Sequence, residues 1–130
     1  MNGPLLLMMR PMSISKATFK RGDIVVVPFP YSDKLAEKRR PALVVSSDKF
    51  NARSGYLWVA MVTSKTQKLS ADDVVFDHSK AGLSKPSMVR VAKIATIEAD
   101  RVIRTTGRLE KSDIASVQKL IAAILGCVVI

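Results

Sequence analysis

Apolar and polar positions alternate along this chain in blocks that are mostly too short for helices. Lys20-Arg21-Gly22-Asp23 is a turn signal ahead of Ile24-Val25-Val26-Val27. That β-branched, unbroken apolar run predicts a strand buried on both faces. Pro28 and Pro30 end it or set its end at a sheet edge, because proline has no N–H to give a ladder. Residues 31–39 are polar and charged and predict a loop. Residues 41–46 predict a second strand, 48–55 a second polar loop, and 57–62 a third strand, again apolar on both faces. Shorter strands are expected over 73–76, 87–91 and 104–109, the last interrupted by Gly107. Then the period changes. Ser112 is placed to cap a helix, and Asp113 suits its first turn. Ile114, Val117, Leu120, Ile121, Ile124 and Leu125 fall on one helical face, with Gly126 as the stop. The pattern reads as mostly β (α+β), a small antiparallel barrel, closed or nearly so, with a C-terminal helix.

Length adds that one domain is enough. The chain has 130 residues, and a single domain is expected over 16–130 after an extension over 1–15. Met8, Met9 and Met12 are each candidate starts within that extension. Leu5–Met9 is apolar but far short of the roughly 20 residues that span a membrane, and it lacks the pattern of a signal peptide.

Charge changes the picture more. Lys and Arg number 21 against 11 Asp and Glu, a net +10. A balance this lopsided costs self-repulsion and points to an anionic partner, with RNA or DNA first. Aromatic residues are only 5% of the chain, too few for a sheet that stacks successive bases. The single cysteine, Cys127, excludes an internal disulfide and fits a reducing cytoplasm. One histidine, His78, argues against a His-based triad or a metal cluster. No cofactor is expected.

The candidate chemistry lies at strand ends. Arg40-Pro41 opens one predicted strand, and Thr63-Ser64-Lys65 closes the next. As neighbours, these ends would bring a fixed cation beside two hydroxyls, a group suited to a phosphate whose charge grows during a reaction. Arg40 can bind a phosphate bidentately; a surface salt bridge is the plainer alternative. Thr63 can hydrogen-bond a phosphate oxygen, although threonine at a strand end also follows from β-propensity. Ser64 is the weaker hydroxyl. Lys34, Lys38, Arg39 and Arg53 lie on the two expected loops, where either a solvated charge run or an RNA groove would be built. Lys65 and Lys68 offer nonspecific phosphate attraction. Tyr31 and Phe50 can stack on unpaired bases or anchor their loops. His78 and Cys127 read as structural.

The ordered set over residues 20–125 resembles the MazF/PemK family of toxin ribonucleases. The residues are Arg21-Gly22-Asp23-Ile24-Val25-Val26-Val27-Pro28-Phe29-Pro30, Lys38-Arg39-Arg40-Pro41-Ala42-Leu43-Val44-Val45-Ser46 and Val62-Thr63-Ser64-Lys65. Ser87-Met88-Val89-Arg90-Val91, the stretch from Ile94 to Ile97 and Gly107-Arg108-Leu109 complete it. The resemblance implies an SH3-like barrel, a homodimer, metal-independent cleavage of single-stranded RNA and a cognate acidic antitoxin. It makes Arg40 and Thr63 the catalytic candidates, with Glu37 as an assisting acid in a loop that lacks the family's usual pattern and is shorter. Two other readings stay open. One is a non-catalytic inhibitory toxin of the same fold, of the gyrase-poison type. The other is an inactive RNA-binding relative.

Overall fold

A computed structural model of the chain describes residues 18–29, 38–65 and 68–127. The expected extension over 1–15 lies outside them. Six strands form one sheet: β1 Asp23–Phe29, β2 Lys38–Val44, β3 Tyr56–Ser64, β4 Asp73–Phe76, β5 Ser87–Glu98 and β6 Arg104–Arg108. The order is β4-β5-β3-β2-β1-β6, and every pairing is antiparallel. Two helices join them, α1 Asp48–Ser54 and α2 Lys111–Ile124.

The apolar runs bury both faces of the sheet, as unbroken β-branched strands require. Ile24, Leu43 and Ala60 stand opposite one another across β1, β2 and β3. They belong to one cluster, which Leu109 and Val117 join from β6's end and from α2. Val25, Ala42 and Met61 make the next row, facing the other way, in a second cluster with Val27, Phe29, Val44 and Val59.

The edge strands β4 and β6 have no ladder between them among the described residues. They are joined by the turn that follows β4. Thr106 Oγ1 donates to the Ala81 carbonyl at 3.0 Å. A Cβ on Gly82 (φ +77) would stand 2.1 Å from the Thr106 carbonyl oxygen, and one on Gly107 would stand 2.6 Å from the Ala81 backbone. Only two glycines let these backbones meet. Contact between opposite edges of one sheet requires that the sheet curl, so the result is a half-barrel fastened by a turn.

Four expectations change. Lys38 and Arg39, expected at the end of a polar loop, instead open β2 and pair with Phe29 and Pro28. Within the loop expected over 48–55, Asp48–Ser54 form α1, because Ser47 Oγ accepts from Phe50 N–H at 3.1 Å and Gly55 ends the helix at φ 76. Both caps were present in the sequence but the segment is only seven residues long, below what periodicity can register. The strand expected over 87–91 runs on to Glu98 through a bulge: Met61 pairs with Arg90 and Ala60 with Ile94, so 91–93 have no partner on β3. Helix α2 starts at Lys111 with Glu110 at the N-cap, not at Ser112. Gly126 does end it, with Cys127 N–H donating to the Ala122 carbonyl at 2.8 Å and Gly126 N–H to that of Ala123 at 3.0 Å, a Schellman closure.

Candidate active site

The register determines which side chains share a face. Val27 is opposite Arg40 on β2, and Thr63 is opposite Met88 on β5. The β2–β3 pairing begins at Ala42↔Met61. Counted on in the same register, Arg40 stands opposite Thr63. Alternation then puts both on the face of Val27, Ala42 and Met61. Pro41 sits between Arg40 and the start of that pairing. Having no N–H, it cannot extend a ladder, and the β2–β3 seam opens at the candidate pair.

Both side chains are partly buried, above a floor in which Met88 is fully buried. Among the described residues no hydrogen bond or ion pair occupies the Arg40 guanidinium. A guanidinium and a hydroxyl on one face, just beyond the last β2–β3 pair, are the kind of groups that hold a phosphate.

The same alternation separates the other candidates. Ser64 is opposite Ser87 and, through it, Phe76 of the helix-covered cluster. It faces away from Thr63, and Arg39 faces away from Arg40. Lys38 shares Arg40's parity and, with Lys65, is exposed at the same end. Lys65 N–H is held by the Pro86 carbonyl at 2.9 Å. Arg53 and Phe50 are not beside this site. They lie on α1, which follows the opposite end of β2. There Phe50 packs edge-on against Trp58 with ring centroids 6.0 Å apart, and the Arg53 guanidinium lies 5.5 Å from the Phe50 ring. The expectation of Arg53 beside the site rests on a loop over 48–55 that is free to fold either way; a capped helix is not. Tyr31, Lys34 and Glu37 lie outside the described residues. His78 is in the turn after β4, where its carbonyl accepts from Ala81 at 3.1 Å and Leu83 at 2.9 Å. Cys127 is exposed beyond α2. Among the described residues no three His, Cys, Asp or Glu side chains gather as metal ligands.

Sequence reasoning missed one pair on this face. Arg90 is opposite Met61 and Asp73 is opposite Arg90, so both share the face of Arg40 and Thr63. Arg90 is two residues from Met88 and hence a diagonal neighbour of Thr63, within reach of a long side chain. Arg90 Nη1 lies 3.3 Å from Asp73 Oδ2, and the carboxylate side chain is only 2% exposed. Arg90 Nη2 donates to the Lys68 carbonyl at 3.1 Å. The signal was the matching parity of Met88 and Arg90, which means nothing until the register is known.

Residues 20–125 match the family described as PemK-like, MazF-like toxin of type II toxin-antitoxin system. Endoribonuclease MazF9 of Mycobacterium tuberculosis is 29% identical over 106 residues, covering 77% of this chain and 90% of that protein. A probable endoribonuclease MazF of Mycolicibacterium smegmatis is 26% identical over 89 residues, 68% of this chain and 82% of that one. Among solved structures, MazF from Deinococcus radiodurans superposes with a TM-score of 0.71 at 22% identity, over 85% of this chain and 99% of that one. A mycobacterial endoribonuclease in complex with its cognate antitoxin gives 0.69 at 17% identity, over 85% and 98%. These two structures share the half-barrel and the terminal helix.

Proposed function

The chain belongs to the PemK-like, MazF-like toxins of type II toxin–antitoxin systems, and we propose that it is a metal-independent endoribonuclease that cuts single-stranded RNA. The observation that supports this reading is the β2–β3 register, which, extended two residues past Ala42↔Met61, brings Arg40 and Thr63 to one face. The two mycobacterial relatives named as endoribonucleases support it.

In the proposed step the ribose 2′-hydroxyl loses its proton and attacks the adjacent phosphorus. The bond to the 5′-oxygen breaks, and that oxygen takes up a proton. A 2′,3′-cyclic phosphate and a 5′-hydroxyl result. Such a displacement needs alignment and charge stabilisation more than a protein nucleophile. Arg40 neutralises the growing charge on the non-bridging oxygens. Thr63 donates to one of them or holds the 2′-hydroxyl in line. Lys38, Lys65 and Lys68 attract the flanking backbone, and Glu37 remains a candidate assisting acid. The test is a long RNA incubated with purified protein in EDTA, followed by mapping of 5′ ends. Cleavage of single strands with duplex spared is expected. Cutting that appears only with added Mg²⁺ or Mn²⁺ rejects the mechanism, and no cutting by folded protein favours a non-catalytic binding toxin.

Two partners belong to the same proposal. The first is a cognate antitoxin with an acidic, RNA-like segment. The second is another copy of this chain. Trp58, Ile124 and Leu125 are 48%, 54% and 68% exposed. With Phe50, Ile94 and Ile121 they line a groove of about 460 Å³. Knobs and groove on one patch are what a two-fold, self-complementary interface requires, and an uncovered apolar patch of this kind marks a contact surface.

A further inference from the structure

The Asp73–Arg90 pair is the buried ion pair on the face proposed for RNA, and neither member is placed to take a phosphate as it stands. Asp73 Oδ2 accepts from Arg90 Nη1 at 3.3 Å and from the Ser70 N–H at 2.8 Å. Asp73 N–H in turn donates to the Ser70 carbonyl at 3.2 Å, and Val91 N–H donates to the carbonyl of Asp72 at 2.9 Å. The other arm of the Arg90 fork holds the Lys68 carbonyl at 3.1 Å. One carboxylate and one guanidinium thus tie residues 68–73 to β5. Residues 68–71 are all exposed, so burial does little to fix them.

A buried carboxylate on a face that binds RNA repels phosphate unless its charge is cancelled. Arg90 cancels it, and the planar fork does so while leaving a second N–H pair for a carbonyl. A lysine in its place would keep the charge but could not hold Asp73 and the Lys68 carbonyl in one rigid plane. We propose that Asp73 and Arg90 are positioning residues, which act through the backbone of Lys68 to present its ammonium to the RNA backbone beside Thr63. This rests on the endoribonuclease reading, and it adds a residue whose contribution to binding is made by two others.

The test compares Lys68→Ala, Arg90→Lys and the double variant, with kcat, KM and the salt dependence of RNA binding measured for each. Lys68→Ala changes only an exposed side chain and should fold as the parent. It should raise KM about five- to tenfold with kcat nearly unchanged, and flatten the log–log salt slope by about 0.7, the share of one phosphate contact on a single strand. Arg90→Lys keeps the net charge. It should nevertheless flatten the slope by about the same amount, and the double variant should be no worse than the poorer single one. A structural role alone would lower the melting temperature and leave slope and KM of the folded protein as they were. Additive effects, or an Arg90→Lys protein with the parental slope, overturn the proposal. Should Arg90→Lys fail to fold, Asp73→Asn replaces it: lost positioning raises KM, whereas an Arg90 set free to bind phosphate itself would lower KM and refute the idea. Failure of the parent protein to cut RNA at all removes the endoribonuclease reading and this inference together, an outcome distinct from an active parent with indifferent variants.

Discussion

At the residue scale the candidate site depends on one arginine being both fixed and available. Arg40 is held by strand β2 on its N-terminal side of Pro41, and the described side chains leave its guanidinium unengaged. Arg40→Ala should cut the rate by about 10²–10³, the usual cost of losing one well-placed charge stabiliser. The melting curve should barely move, since a partly exposed arginine adds little to a core. Near-parental cleavage by the folded variant would take Arg40 out of the mechanism. Arg40→Lys should recover little, because an ammonium lacks the bidentate fork. Elsewhere a carboxylate is held against its preference. Partial burial raises the Asp113 carboxyl from its ordinary value, with Glu110 and Asp77 adding to the rise. A carboxyl raised in the folded state favours folding at low pH, and that contribution is lost as pH climbs through the carboxylate range. Asp113→Asn should therefore raise the melting temperature more at pH 7 than at pH 3. An equal gain at both pH values would mean that the charge is not what matters there.

At the scale of elements, the half-barrel depends on a turn as much as on its ladders. Gly82→Ala puts a Cβ into the Thr106 carbonyl and asks alanine for a left-handed φ. Strain of this kind costs about 1–3 kcal/mol, and more where a backbone must also move. Denaturant melts of Gly82→Ala and Gly107→Ala should both show the loss; Gly55→Ala, with open space around it, should lose only the conformational share. Unchanged midpoints for the first two would mean that the turn does not fasten the sheet. How far these elements were legible follows from their length and surroundings. Strand β4 over 73–76 was readable to the residue, because a turn and a charge bound it on either side. Helix α1 was not, because a seven-residue helix shows no full period and only its caps announce it. Strand β5 was read as half its length because Ala92 and Lys93 break the apolar run at the bulge. Thr63 was readable near the end of its strand, whereas Arg40, expected to open β2, stands two residues inside it. The Asp73–Arg90 pair was not readable, since it joins residues 17 apart through a register that sequence does not carry.

At the scale of the whole molecule, charge and apolar surface call for different partners. The net charge of +10 favours an acidic antitoxin segment, whose association should be fast and weakened by salt. If that segment uses the Arg40 face, it must compete with RNA. RNA binding to the Arg40→Ala protein should fall as an acidic antitoxin peptide is added; simultaneous binding without mutual weakening would place the inhibitor elsewhere. The groove of Trp58, Ile124 and Leu125 lies on the helix-covered side of the sheet and is the surface proposed for a second copy. Light scattering should give twice the 14.2 kDa chain mass, and Leu125→Glu should halve it. A parent that is monomeric at micromolar concentration contradicts the dimer.

The pairing of β1 with β6 also bears on how the protein comes into being. Strand β1 meets β2 almost at once, but its other neighbour closes on it only from far along the chain. The Arg108–Asp23 ion pair, at 2.7 Å, joins residues 85 positions apart. Leu109 and Val117, which complete one core cluster, come later still. Contacts this distant are formed slowly, after the loop between them has been ordered, and a chain growing from its N-terminus cannot form them until synthesis is nearly done. The β2–β3 seam that carries Arg40 and Thr63 is translated early, but the core cluster on its other face is not complete until the last quarter of the chain has emerged. Chains stopped before Arg104 should be digested by protease as unfolded polypeptide and should leave RNA intact. A truncated chain that resists protease or cuts RNA would show that the site matures without its closing strand.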